Sequence, residues 1–276
     1  MRRLRLRRRF KRQPASSSGM SPPNRHRIIE LDETGSTNAD AMRLALAGEQ
    51  LPLWVTARRQ TAGKGRAGRD WQSLEGNLQA SLAFHCQAPL KHAPELALLA
   101  GVAAIDAIRG ISPLALQAGV RLKWPNDVMI GSAKAGGMLI ESTLARREPG
   151  FLAVIGMGLN VASLPDNLGR AATSLAQNGI ATTPAELLTS LADQMDHWLA
   201  KWDAGQGFDE IRTAWMERAG NIGEAITVHT TLGAVSGTYQ GLSPVGAMLA
   251  QINGRLEAIS FGDVSLAANT HDGGSQ

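Results

Sequence analysis

The chain has a single cysteine, Cys86, among its 276 residues, so no disulfide can form within it. That scarcity fits a reducing compartment such as the cytoplasm. Cys86 lies in an alternating run and has no identifiable cationic neighbour to lower its pKa, so it reads as a core residue and not as a nucleophile. Long apolar runs are also missing. The longest, Leu96 to Ile105, falls far short of the ~20 residues a bilayer requires, which argues against a transmembrane helix. No internal repeat is present. Acid is absent from residues 1–12, which carry eight Arg or Lys, and this basic run lacks the apolar core of a secretory signal peptide. The whole chain is +4, so the remainder is close to −4 and the high pI belongs to the tail. The body carries no compositional sign of nucleic-acid binding.

Residues 1–26 read as a disordered basic tail: the cations are followed by Pro14, three serines, Gly19 and Pro22-Pro23. The tail is open to three readings: an extension upstream of a true start at Met20, a solvated tail, or a segment touching RNA, DNA or anionic lipid. From Ile28 helices and strands alternate. Leu53–Ala57 suits a strand. Leu78, Ala80, Leu82 and Phe84 recur with period two, which predicts a strand with one buried face. Pro94 to Arg109 predicts a helix that stops at Gly110. Val120, Leu122 and Trp124 alternate again, and Phe151–Ile155 reads as a buried strand. Thr183-Pro184-Ala185-Glu186 is a capping box, followed by Leu187, Leu191, Met195, Trp198 and Trp202 on one helical face. Beyond Gly220 short strands follow one another: Ala225–His229, Ala234–Tyr239, Ala247–Ile252 and Arg255–Ser260. Asn253-Gly254 between the last two is a strong hairpin signal. This end of the chain reads as a small antiparallel barrel.

Four stretches carry chemistry. In Gln60-Thr61-Ala62-Gly63-Lys64-Gly65-Arg66-Ala67-Gly68-Arg69-Asp70-Trp71 glycines alternate with cations. Glycines let the backbone curl towards one anion and the cations add charge at the same spot, which suits a nucleotide phosphate or an acyl phosphate. Three glycines in six residues, among cations that repel one another, predict a loop that is mobile until an anion orders it. Gly63, Gly65 and Gly68 formally match a dinucleotide fingerprint, but a polar stretch follows where a packed helix should begin. A Walker loop is excluded because glycine follows Lys64. The second stretch, Lys123-Trp124-Pro125-Asn126-Asp127, presents an amide and a carboxylate on a turn at a strand end. The third, Lys134-Ala135-Gly136-Gly137-Met138-Leu139-Ile140-Glu141, sets a cation beside bare backbone. In the fourth, Gly156-Met157-Gly158-Leu159-Asn160-Val161, a strand ends in glycines and an amide.

Together and in this order, with Ser36-Thr37-Asn38 ahead of them, these stretches resemble the biotin protein ligases, or biotin–[acetyl-CoA-carboxylase] ligases, over residues 27 to about 266. The resemblance implies an α+β fold: a mixed, largely antiparallel sheet with helices, spanning residues 27–221, then an SH3-like barrel over 222–276. It implies ATP-dependent activation of biotin, with Mg²⁺ on the triphosphate, and transfer to a lysine of a biotin carboxyl carrier protein domain. By the same resemblance Ser36, Thr37, Asn38, Gln60, Lys64, Gly65, Arg66, Lys134 and Gly137 would bind biotin. Arg66, Arg69, Trp71, Asp127, Lys134 and Asn160 would meet the nucleotide. Lys134, Arg66 and Asp127 would be catalytic, with no protein-held metal. Lys64 stands where many members have arginine, which keeps the charge and loses the two-pronged fork. Some members carry an N-terminal winged helix-turn-helix that makes them repressors. Only 26 residues precede the match here, so a monofunctional enzyme with no specific DNA partner is expected. The sequence leaves open whether it pairs as a homodimer. The rival readings are a lipoate protein ligase, a regulator using the basic tail, and a nicotinamide-dependent oxidoreductase.

Overall fold

The computed structural model describes residues 26–144, 149–164, 171–230 and 233–266, so nearly all of the basic tail lies outside the described residues. β1 (Ile28–Thr34) leads into α1 (Thr37–Leu46), β2 (Leu53–Gln60) and β3 (Leu78–Cys86). Then come α2 (Glu95–Ile111), the short α3 (Leu114–Gln117), β4 (Val120–Lys123) and β5 (Asp127–Ile130). The long strands β6 (Ala133–Leu144) and β7 (Phe151–Leu159) precede α4 (Pro184–Trp202) and α5 (Phe208–Glu217). Five strands end the described chain: β8 (Ala225–Thr230), β9 (Gly233–Leu242), β10 (Met248–Ile252), β11 (Arg255–Ile259) and β12 (Asp263–Leu266).

The first seven strands form one sheet in the order β1-β2-β3-β7-β6-β5-β4. Only β1 and β2 run parallel; every other pair is antiparallel. The last five form a second, antiparallel sheet, β11-β10-β9-β8-β12, compatible with an SH3-like domain. Strand alternation sorts the first sheet's side chains into two layers. Trp54, Leu78, Ala80, Leu82, Ile155 and Met157 face the main core with α2, α4 and α5. Leu53, Val55, Ala83 and Val154 face the other way and pack on Ala41 of α1. Helices α2 and α4 therefore cover one face from β3 to β4, whereas α1 covers only part of the opposite face.

Two expectations change. β3 is buried on both faces, not one, because its second face carries Gln79 and Ser81 beneath α1 and the loops. Its polar residues mimic exposed positions in the sequence, but they are buried within a hydrogen-bonded network. The helix expected to stop at Gly110 runs on to Ile111. Proline biases the residue before it away from the helical region, and Ser112 before Pro113 is extended (φ −144°, ψ 125°), so the stop falls there. The capping box at Thr183 and Glu186 forms as expected. Trp198 and Trp202 are core residues, their indole N–H groups donating to Asp106 and Glu95. Asn253 and Gly254 both take positive φ in the β10–β11 hairpin. Cys86 is buried, and burial pushes its thiol pKa up, as befits an inert core residue. No helix among the described residues is long and apolar enough to cross a membrane.

Candidate active site

A cleft of about 330 Å³ opens on the partly covered face of the first sheet. Its floor is made of strand positions stripped of side chains. A Cβ on Gly156 would lie 2.2 Å from Asn38 Oδ1, and one on Gly158 would lie 2.5 Å from the Trp71 ring. These two glycines thus seat the protein's own Asn38 and Trp71. A Cβ added at Gly158 overpacks that contact at a cost of about 1–3 kcal/mol. We expect Gly158→Ala to displace Trp71 and depress ligand binding by at least about tenfold, with only a modest fall in melting temperature. Binding titration beside a thermal melt checks this, and unchanged affinity would remove Trp71 from the site.

One end of the cleft is polar and uncharged. Ser36 caps α1, its side chain accepting from the Ala39 N–H, and lines the cleft with Thr37, Asn38 and Gln60. Gln60 Oε1 accepts from the Thr37 N–H (2.8 Å) and hydroxyl (3.0 Å), while its amide donates to Ser73 Oγ (3.0 Å). The Ser81 hydroxyl lies 2.6 Å from Asn38 Oδ1, and Asn38 Nδ2 donates to Glu141 at 2.7 Å. Because these groups fix one another, they present a rigid set of neutral donors and acceptors.

The other end is cationic. Lys123 at the end of β4 and Lys134 in β6 flank Asp127, the first residue of β5. Lys123 Nζ lies 2.9 Å from Asp127 Oδ2, and Lys134 makes a close ion pair with Oδ1. Burial pushes the Asp127 pKa up, but the two lysine charges and their hydrogen bonds outweigh it and hold the carboxyl below its ordinary value. A register shift explains how Lys134 reaches this point. Val128 pairs with Gly136 and Met129 with Lys134, so β6 bulges at Ala135 and its side chains are re-aimed. A Cβ on Gly137 would lie 3.1 Å from Lys134 Nζ, so glycine leaves room for the ammonium. Trp71 lies alongside, with Lys134 Nζ 6.0 Å from its ring centre.

Above these sits the glycine loop. It closes on itself, with the Gly65 N–H donating to the Arg69 carbonyl (2.7 Å) and the Trp71 N–H to that of Gly63 (2.9 Å). Ala67 takes φ 54° and Gly68 φ 71° in the tight turn. Lys64, Gly65, Arg66 and Arg69 all line the cleft. Arg66 donates to Asn126 Oδ1 (3.2 Å) and the Gly262 carbonyl (3.0 Å), so the loop touches the turn that leads into the second sheet's last strand.

Of the residues expected from sequence, only Asn160 lies outside the cleft lining. Its N–H donates to the Ala135 carbonyl (2.8 Å) and its amide to the Thr173 carbonyl (3.1 Å), so it braces the Lys134 bulge from behind. The structure adds Lys123 and Asn126, which lie inside a motif already singled out, and Asp263 to Leu266 from β12, which no motif marked.

A neutral polar pocket running into a group of cations suits a ligand with an uncharged polar part and an anionic part. Comparison with known proteins specifies the class. Residues 31–160 match the model of the biotin/lipoate A/B protein ligase family. The chain is 36% identical over 227 residues to a biotin–[acetyl-CoA-carboxylase] ligase of Paracoccus denitrificans, covering 79% of this chain and 92% of that protein. It is 30% identical over 238 residues to the Mycobacterium tuberculosis ligase of the same name, covering 84% and 86%. The biotin protein ligase of Aquifex aeolicus, solved with biotin and ATP, superposes with a TM-score of 0.72 at 27% identity, over 87% of this chain and 98% of that one. The chain belongs to the biotin protein ligase family and is a ligase.

Proposed function

We propose that the chain activates biotin with ATP to biotinyl-5′-AMP and then transfers biotin to a lysine of a carrier domain of acetyl-CoA carboxylase or a related carboxylase. The convergence of Arg66, Lys123 and Lys134 on one end of a cleft whose other end is neutral carries this reading. In the first step a biotin carboxylate oxygen attacks the α-phosphorus, the bond to the β-phosphate oxygen breaks, and pyrophosphate leaves. Two anions must approach, and preorganised cations offset their repulsion and stabilise the charge that develops. Lys134 and Arg66 hold that place, with Lys64, Gly65 and Gly137 shaping it around biotin. Thr37, Asn38, Gln60 and Ser36 suit the ureido ring, and Trp71 the ligand's flank. In the second step the carrier lysine attacks the acyl carbon, AMP departs, and the nitrogen loses a proton near Asp127.

Mg²⁺ would be held chiefly by the triphosphate, since no cluster of metal-ligating side chains is present among the described residues. Such an ion takes one or two carboxylates together with phosphate oxygens, and Asp70, which lines the cleft beside the cationic loop, would be the carboxylate within reach; bound there, it would supply further charge neutralisation. Residues 27–221 form the catalytic unit in this reading and the barrel begins at 222, supported by the change from helix to consecutive strands after α5; positions 267–276 of the expected barrel lie outside the described residues. The single cysteine, which leaves no internal disulfide to form, supports a cytoplasmic setting.

Biotin-dependent exchange of pyrophosphate into ATP tests the proposal directly. Exchange should require biotin and should not be supported by lipoate, whose dithiolane ring offers no partners to a floor of amides and hydroxyls. Exchange with lipoate alone would overturn the biotin reading and leave the ligase fold in place.

A further inference from the structure

The strand β12 and the turn before it contribute three consecutive acceptors to the cations of the cleft. Gly262 accepts from Arg66 (3.0 Å), Asp263 pairs with Arg69, and the Val264 carbonyl accepts from Lys123 Nζ (2.8 Å). The two arginines are held differently. Arg69 Nη1 lies 2.9 Å from Asp263 Oδ2 and Nη2 donates to Oδ1 at 3.0 Å, a two-point ion pair. Its third nitrogen, Nε, donates to the Arg66 carbonyl at 3.2 Å. Arg69 therefore has three of its five N–H groups engaged within the protein. It forms a strut from the backbone of Arg66 to the second sheet. Arg66 donates to two neutral oxygens, with the Asp263 carboxylate more distant at 3.6 Å. Its position is fixed while much of its charge stays available.

We propose that Asp263 is a positioning residue for adenylation, a built-in counter-anion that clamps the glycine loop through Arg69 so that Arg66 is presented to the phosphate. Arg69 then serves as a tether between the loop and the second sheet, which completes the site. The clamp supplies an anion from within the chain to a loop of three glycines and three cations, and so lowers the cost of ordering it. It rests on the reading of the cleft as an adenylating site, but its structural half can be measured without turnover. Arg69 and Asp263 are 49% and 44% exposed, so the pair is of moderate strength and a moderate effect is expected.

Limited trypsinolysis of the ligand-free enzyme, read by mass spectrometry as cleavage after Lys64 and Arg66, reports loop order. Asp263→Asn should raise that cleavage rate about threefold to tenfold, Arg69→Gln should match it, and the double variant should be no worse than either alone. Asp263→Glu should restore most of the protection. In the exchange assay the single variants should raise the KM for ATP by a similar factor with kcat nearly unchanged, as expected when ordering of the free enzyme is lost. Thermal melts separate loop loosening from unfolding, and Asp263→Glu keeps the test open if the asparagine variant folds poorly. Unaltered cleavage in Asp263→Asn would overturn the clamp. So would an Arg69→Gln defect in kcat far exceeding that of Asp263→Asn, since Arg69 would then touch the nucleotide. Loss of biotin-dependent exchange in the unsubstituted enzyme, with the cleavage pattern as expected, would instead fault the functional reading.

Discussion

Replacing Lys134 with alanine should lower biotinyl-adenylate formation by on the order of 10²–10³ while leaving the protein folded. The size of the loss follows from what the bulge in β6 achieves. It brings an ammonium into a partly buried position, 17% exposed, without a Cβ at Gly137 to obstruct it. A charge held there in advance needs no reorganisation when the carboxylate approaches the phosphate, which is why its removal costs more than an exposed ion pair does. The fold should survive because Asp127 keeps Lys123 as a partner and is not left as a lone buried charge. The loss should appear in kcat more than in the KM for ATP, because the attraction matters most when the two anions meet. Single-turnover adenylation alongside a thermal melt checks both halves. A rate within a few-fold of the unsubstituted enzyme would take Lys134 out of the chemistry.

Much of this site was legible because its parts are local. The glycine loop, the turn at Asn126-Asp127 and the Lys134 stretch each occupy a few consecutive residues, and their glycines and charges stand out from any periodic pattern. α1 was harder to see. Its sheet-facing positions include Thr37 and Asn38, polar residues that break the apolar period because they line the cleft floor. Gln79 and Ser81 in β3 hide a second buried face for the same reason. The resemblance puts Asn160 near the nucleotide; its bonds to Ala135 and Thr173 tie it to the bulge of β6 outside the cleft lining, a contact that only the folded chain reveals. Asp263 could not be found from the sequence. β12 is four residues long, too short for a reliable alternation, and its role comes from meeting Arg69 across 194 positions of chain.

Asp127→Asn should slow transfer of biotin from the adenylate by about 10²-fold, the scale of a lost proton-handling group, and slow adenylate formation by no more than about tenfold. The carboxylate is 14% exposed and held between two ammonium groups, with its pKa below the ordinary value. It is therefore ionised throughout the neutral range and is a weak base towards a free ammonium. Its strength lies later in the step, when the attacking nitrogen has bonded to the acyl carbon and become cationic and acidic; a fixed carboxylate then stabilises that charge and takes up the proton. Adenylation makes no such demand, and losing the negative charge leaves Lys123 and Lys134 more attractive to phosphate, which limits the harm to that step. The same pairing ties Asp127 to stability. A carboxyl whose pKa is depressed on folding stabilises the native state above its unfolded value, about 4, and that contribution is lost as pH falls through the lower folded value. Asp127→Asn should therefore melt earlier than the unsubstituted enzyme at neutral pH, with the gap closing in strong acid. Transfer from purified adenylate, set against pyrophosphate exchange at the same pH, separates the two steps. An equal fall in both would assign Asp127 to holding the two lysines and not to the incoming amine.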